Sequence, residues 1–125
     1  MRVLIVDEET AFTQVLRQHL VAAGYAVAVA ETAAEGLAMA SEAPHDVILL
    51  DVRLPDMDGL ATLDAILQRR PVPVIMVSSL TQRGAGVTLD ALDRGAMDYV
   101  AKPERGAQVD ATLGEELLHK IRCFG

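Results

Sequence analysis

A chain of 125 residues, 51% of them hydrophobic and 23% charged, has the length and composition of one globular domain, which excludes a disordered segment and a disulfide-stapled miniprotein. Its 18 acidic and 11 basic residues leave a net charge of −7, so the surface repels nucleic acid and anionic membranes. The single cysteine, Cys123, excludes an internal disulfide and a multi-cysteine zinc site, and no apolar run is long enough for a membrane span, so a reducing, cytoplasmic location is expected.

Five short runs rich in β-branched residues and leucine alternate with stretches of helical periodicity. The first, third and fourth runs are almost continuously apolar, as expected of strands that helices cover on both faces. The second and fifth are less apolar, which predicts that they lie at the edges of a sheet. The predicted strands are Arg2–Val6, Tyr25–Ala30, Asp46–Leu50, Val72–Val77 and Asp98–Ala101.

Five helices are predicted from apolar residues that recur with a period of about 3.6 residues. Gly24 is expected to end the first and Gly95 the fourth, while Thr32 has a glutamate three positions later, as in a capping box at the start of the second. The third stops before Pro71, and Gln82–Gly86 has the composition of a flexible segment. The apolar positions are Phe12, Val15, Leu16, Leu20 and Ala23; Leu60, Leu63, Ile66 and Leu67; Val87, Leu89 and Leu92; and Val109, Leu113, Leu117 and Ile121.

This alternation of strands and helices predicts an α/β fold in one domain, residues 1–125. The expected architecture is a doubly wound, five-stranded parallel sheet with five helices, flavodoxin-like, because parallel strands need right-handed helical crossovers. In such sheets the functional site lies beyond the carboxyl ends of the strands.

Charged and hydroxyl side chains collect where the predicted strands end. Neighbouring carboxylates repel one another unless a cation such as Mg²⁺, which prefers oxygen ligands, lies between them. A carboxylate beside such a cation can attack a phosphoryl group and form an aspartyl phosphate. Singly, these residues could be helix caps or loop-start carboxylates, so the prediction depends on their joint placement. They are Asp7, Glu8 and Glu9 after the first strand, Asp51 after the third, Ser78 and Ser79 after the fourth, and Lys102 and Pro103 after the fifth.

Four segments resemble the receiver domains of two-component response regulators. They are VDEE after the first strand, VILLDVRLPDMDG at Val47–Gly59, VSS at Val77–Ser79 and KP at Lys102–Pro103. The resemblance covers essentially the whole chain. It implies the strand order 2-1-3-4-5 and a Mg²⁺-dependent transfer of a phosphoryl group to the domain from a sensor histidine kinase.

The resemblance also implies a phosphoacceptor and a metal site. Asp51 matches the phosphoacceptor, and the Mg²⁺ ligands correspond to Asp7, Glu8, Asp51 and the backbone carbonyl of Arg53. Glu8 departs from the family, which most often has aspartate there. Its extra methylene group pushes the carboxylate toward the metal, so Glu8 is expected to coordinate with a backbone adjustment or with weaker affinity.

Three further positions match the family's switch. Ser78 and Lys102 correspond to the residues that contact the phosphoryl group, and Tyr99 corresponds to an aromatic side chain that rotates on activation. The alternative for Tyr99 is a packing residue on an edge strand. Phosphorylation is expected to alter the surface of the fourth helix, fifth strand and fifth helix, where an output domain or partner protein binds.

A narrower resemblance concerns the receiver of chemotaxis protein-glutamate methylesterases. The segment Pro73–Pro103 and the final helix, VDATLGEELLHKIR, carry it. No esterase centre lies within the chain, so it is expected to catalyse only its own phosphorylation and dephosphorylation. A methylesterase domain is expected only in a parent protein.

Other functions fit the sequence less well. A flavin mononucleotide carrier needs a phosphate-binding loop where the acidic residues follow the first strand, and a phosphatase with an aspartate nucleophile needs a second acid where Arg53 stands. Ser78 lacks a nucleophile elbow, and His19, His45 and His119 are expected to be surface or packing residues. A receiver-like protein-interaction module that phosphorylation does not control stays open, because of Glu8.

Overall fold

Five parallel strands form one sheet in the order β2-β1-β3-β4-β5, with five helices between and after them. The structure, a computed structural model, describes residues 1–79, 82–102 and 111–124. This confirms the predicted α/β class, the strand order and the two edge strands. In chain order the elements are β1 Arg2–Val6, α1 Thr10–Ala22, β2 Ala26–Ala30, α2 Ala33–Glu42, β3 Val47–Asp51, α3 Gly59–Arg69, β4 Val74–Ser79, α4 Gln82–Arg94, β5 Asp98–Lys102 and α5 Ala111–Phe124.

Alternate side chains of the strands enter two separate core layers, because successive residues of a strand point to opposite faces. Both faces are covered, which explains the almost continuously apolar sequences of β1, β3 and β4. One layer lies under α2, α3 and α4 and contains Leu4, Val6, Ile48, Leu50, Met76, Leu63, Ile66 and Ala91. The other lies under α1 and α5 and contains Val3, Ile5, Leu49, Ile75, Val77, Phe12, Leu16, Leu20, Leu117 and Ile121.

The predicted helix boundaries are confirmed where a local signal marks them. Gly24 and Gly95 have φ angles of +94° and +122°, which disfavour any side chain, and they follow α1 and α4. The hydroxyl of Thr32 accepts a hydrogen bond from the backbone N–H of Glu35 at 3.1 Å and caps α2. No helix in the described part of the chain is long and apolar enough to span a membrane.

Two predictions about α4 are wrong. Gln82–Gly86, expected to be a flexible segment, forms the start of the helix. Leu89, predicted to face the core, is 66% exposed, whereas Ala91 on the same helix is buried. Two positions along a helix correspond to a rotation of about 200°, so only one of these side chains can face the sheet. Pro103 and Val109 lie outside the described residues.

Candidate functional site

Asp7 and Asp51 lie side by side at the carboxyl edge of the sheet. Val6 of β1 pairs with Leu50 of β3, so the next residues of the two neighbouring strands are the two aspartates. Both are buried, with exposed fractions of 2% and 7%. The negative charge of two neighbouring carboxylates that are buried from water has to be compensated by cations or protons.

Lys102 places its ammonium group beside this pair from the edge strand β5, two strands away from β3. It is the last residue of β5, and its side chain reaches across β4 toward the aspartates. Its Nζ lies 2.9 and 3.0 Å from the two carboxylate oxygens of Asp7 and 3.4 Å from Oδ2 of Asp51. The Phe12 ring lies beneath the ammonium group, with its centroid 5.0 Å from Nζ, and adds a cation–π contact.

A third carboxylate, from Glu9, completes the group around Lys102. Its Oε2 lies 3.0 Å from Nζ, as close as Asp7 and closer than Asp51. Glu8 is exposed, and its role as a metal ligand stays a prediction. The sequence prediction noted Glu9 at the strand end but did not include it among the site residues.

The electrostatics of the cluster act most strongly on Asp51. Burial, and then the charge of Asp7, raise the pKa of Asp51 to about 7 against the lesser opposing effects of Lys102 and the Arg53 backbone N–H. Burial lowers the pKa of Lys102, but its hydrogen bond to Asp7 and the charges of both aspartates outweigh this, so its pKa is raised. Lys102 is therefore charged at neutral pH, whereas metal-free Asp51 holds a proton part of the time.

The loop after Asp51 is closed by short-range contacts. The Arg53 backbone N–H lies 3.3 Å from Oδ1 of Asp51. The backbones of Arg53 and Asp58 also form an isolated antiparallel β-bridge. The backbone N–H of Gly59 donates to the carbonyl of Val52 at 2.8 Å, and a Cβ at Gly59 would meet that oxygen at 2.6 Å. Glycine is therefore required for this close approach.

Asp56, at the tip of the same loop, joins it to α2. Its two carboxylate oxygens accept hydrogen bonds from the backbone N–H groups of Ala33 and Ala34 at 2.8 and 3.1 Å. These hydrogen bonds lower the pKa of Asp56. They also satisfy the two N–H groups at the start of α2 that Thr32 does not reach, so the loop is fixed at both ends.

Ser78 and Tyr99 lie on the two strands beyond β3. Ser78 is buried near the carboxyl end of β4, one position beyond Val77, which pairs with Asp51. Tyr99, on the edge strand β5, is 44% exposed. Lys120 of α5 lies over its ring, 5.2 Å from the centroid, and donates to its backbone carbonyl at 2.5 Å. The tyrosine side chain thus points away from the acidic cluster.

The donor set suits Mg²⁺, although the described residues do not form a ready three-residue metal cluster of carboxylates, histidines or cysteines. Mg²⁺ keeps several waters and needs only one or two carboxylates. Asp7, Asp51 and the backbone carbonyl of Arg53 could supply these oxygens. Burial and the charge of Asp7 raise the pKa of Asp51, and a bound cation would favour its ionised form.

Comparison with known proteins agrees with this geometry. Residues 3–113 match the family described as the response regulator receiver domain. The chain is 42% identical over 124 residues to a protein-glutamate methylesterase/protein-glutamine glutaminase of Archaeoglobus fulgidus, covering 98% of this chain and 35% of that protein. A similar protein of Rhodospirillum rubrum is 42% identical over 122 residues, covering 96% and 33%. The chain therefore spans about a third of the length of the curated relatives it matches.

Solved structures give the same result. The response regulator domain of Thermotoga maritima CheB superposes with a TM-score of 0.86 and 36% identity, over 99% of this chain and 95% of that one. A CheY-like receiver domain protein from Methanospirillum hungatei superposes with a TM-score of 0.79 and 36% identity, over 97% and 90%. The similarity thus extends over the whole sheet and its helices.

Proposed function

Since the chain belongs to the response regulator receiver domain family, we propose that it accepts a phosphoryl group on Asp51 from a sensor histidine kinase in a Mg²⁺-dependent reaction. The observation that carries this proposal is the contact of Lys102 with buried Asp51 and Asp7 at the carboxyl edge of the sheet. A lysine held in this way can neutralise the oxygens of an incoming phosphoryl group.

The proposed chemistry is a single displacement at phosphorus. A carboxylate oxygen of Asp51 attacks, the new oxygen–phosphorus bond forms, and the bond from phosphorus to the donor imidazole nitrogen breaks. The Arg53 backbone N–H orients the Asp51 carboxylate, and Lys102 takes up the charge of the transferred group. Ser78, buried near the end of β4, is proposed to donate its hydroxyl to a phosphoryl oxygen.

Mg²⁺ is proposed to bind at Asp7, Asp51 and the backbone carbonyl of Arg53. When bound, it would neutralise the carboxylates and the phosphoryl oxygens. Glu8 would join this set only by turning its exposed side chain toward Asp51. Asp7, held by Lys102 and by the backbone N–H of Glu9 at 2.9 Å, is already oriented.

The proposed output surface is formed by α4, β5 and α5. Among the residues of this surface whose exposure the structure describes, three large apolar side chains are exposed: Leu89, Met97 and Tyr99. Burial of such side chains is a usual driving force for association. We propose that inward rotation of Tyr99 after phosphorylation changes this surface by a population shift. The bound partner would be an output domain, and the methylesterase names of the relatives suggest a chemotaxis methylesterase domain in the cytoplasm.

Incubation with Mg²⁺ and acetyl phosphate tests the proposal directly. Intact mass spectrometry should detect the addition of one phosphoryl group to the wild-type protein and none to Asp51→Asn. Asp93→Asn is the matched control, because Asp93 is an exposed aspartate on α4. Persistent labelling of Asp51→Asn would refute the assignment of Asp51.

The second candidate is a protein-interaction module that phosphorylation does not control. The exposure of Glu8 is the observation that favours it. Absence of labelling by acetyl phosphate and by a phosphorylated histidine kinase, together with an unchanged NMR spectrum in Mg²⁺ and beryllofluoride, would support this module and refute phosphorylation.

A further inference from the structure

Glu9 occupies a helix position that does not explain its side chain. It is the N-cap residue of α1, where serine, threonine, aspartate and asparagine are preferred, and its side chain makes no capping hydrogen bond. Its carboxylate instead extends to Lys102, 3.0 Å from Nζ. The start of α1 therefore does not require a glutamate.

The ammonium group of Lys102 lies on the Asp7 and Glu9 side of the pocket. Its distances to these two carboxylates are 2.9 and 3.0 Å, against 3.4 Å to Asp51. A phosphoryl group on Asp51 would draw Lys102 away from that position, because the group adds negative charge and acceptor oxygens.

Glu9 is also the most accessible carboxylate of the three. Its side chain is 32% exposed, whereas those of the two aspartates are buried. It therefore stands at the solvent side of the pocket, where it would repel an anionic phosphoryl donor on approach.

We propose that Glu9 is a positioning residue that restrains phosphorylation, by competing with Asp51 for the Lys102 ammonium group and by repelling anionic donors. This inference rests on the proposed function. It predicts that the rate of phosphoryl capture depends on the charge of Glu9 and that the effect grows with the negative charge of the donor.

The test compares Glu9→Gln with wild type at saturating Mg²⁺, using acetyl phosphate as a dianionic donor and phosphoramidate as a less charged one. The second-order rate constant should rise about three- to tenfold with acetyl phosphate and clearly less with phosphoramidate, since the repulsion scales with donor charge. Glu42→Gln is the matched control. It removes the same charge from the last residue of α2, at the opposite end of the domain, and should leave both rates unchanged.

Glu9→Asp separates the contact with Lys102 from the charge. Aspartate is a favourable N-cap residue but is one methylene group shorter, so it should stabilise α1 while releasing Lys102. We expect a higher melting temperature and a rate between those of wild type and Glu9→Gln. A rate at or below that of wild type would contradict the restraint on Lys102.

A readout without metal or donor completes the design. The NMR signal of the Lys102 ammonium group should shift in metal-free Glu9→Gln and stay in place in Glu42→Gln. An unchanged signal, or equal effects of Glu9→Gln on the rates with both donors, would overturn the inference about Glu9 and leave the proposed function in place. A wild-type protein that takes no phosphoryl group from either donor would overturn the proposed function and the restraint with it.

Discussion

Replacing Asp51 by asparagine should stabilise the metal-free protein at neutral pH. Asparagine has nearly the same shape and can still accept the hydrogen bond from the Arg53 backbone N–H, but it carries no charge. Because burial and the charge of Asp7 raise the pKa of Asp51 to about 7, the folded protein disfavours the ionised carboxylate. The substitution removes this conflict.

The pKa shift sets the size and sign of the effect. A change from the ordinary value of 3.8 to about 7 corresponds to a ceiling of about 4 kcal/mol at 1.36 kcal/mol per unit. We expect about half of this, since water entry relaxes buried charges. The pKa of Asp51 is raised in the folded protein. The stability of wild type that depends on this group is therefore fully present below pH 3.8 and is lost as the pH rises through about 7.

Urea unfolding in the presence of a chelator measures this difference. At about pH 8, Asp51→Asn should have a free energy of unfolding about 2 kcal/mol above that of wild type, and at about pH 4.5 the gap should fall below about 1 kcal/mol. Asp93→Asn should show no such gap. Added Mg²⁺ should narrow the gap at the higher pH by stabilising wild type. An Asp51→Asn variant that is no more stable than wild type at pH 8 would refute the reasoning.

Four further substitutions test the loop, α4 and the far end of the sheet. Gly59→Ala should lower the free energy of unfolding by about 2 kcal/mol or more, because the new Cβ would meet the Val52 carbonyl. Gly86→Ala should raise it by about 0.5–1 kcal/mol, because a Cβ there has nothing within 4 Å and alanine favours the helix. The same urea titration measures both changes. Asp56→Ala should lower the melting temperature at neutral pH but not in acid, since the lowered pKa of Asp56 means that its stabilisation is lost as the pH falls through that value. Burial lowers the pKa of His45, so wild type should lose stability below about pH 6.5 and His45→Gln should lose less, as judged by melting temperatures across that range.

The fold could be predicted because its signals are local. Apolar runs mark the strands, and Gly24, Gly95 and Thr32 mark helix ends through their own backbone and capping requirements. The strand ends were less predictable, since pairing with a neighbour decides them. Asp51 and Lys102 were expected just beyond β3 and β5, and both are the last residues of these strands because they pair with Val77 and Ser79 of β4.

The side of α4 that faces the sheet could not be read from hydrophobicity. Leu89 is more apolar than Ala91, yet the alanine is buried and the leucine exposed. The helix lies against β4 and α3, where a small residue allows close approach. A sequence pattern records which residues are apolar, but the depth available at each position depends on the neighbouring elements.

The same limit applies to the contact of Glu9 with Lys102, which the sequence did not predict. Asp7 is fixed by β1, whose register with β3 places it beside Asp51. After Asp7 the chain bends at Glu8 before α1 begins at Thr10, and this bend leaves Glu8 in solvent and brings Glu9 to Lys102. The first residue of a helix is among the least certain features of a sequence-based prediction. A displacement of one residue at the start of α1 is enough to change which glutamate reaches Lys102.

The contact of Glu9 with Lys102 matters for the balance of charge in the pocket. Three carboxylates share one ammonium group, and burial and the charge of Asp7 raise the pKa of Asp51 against the opposing effect of Lys102. A protonated carboxyl group is a poor nucleophile, so under the proposed function the metal-free protein would be only partly competent as an acceptor at neutral pH. The negative charge that a phosphoryl acceptor needs in order to attract a cation thus also raises the pKa of its nucleophilic carboxylate. That carboxylate stays partly protonated until the cation binds. Glu9 adds to that negative charge without being buried. Removing its charge should therefore affect the fold less than removing the charge of Asp7 or Asp51.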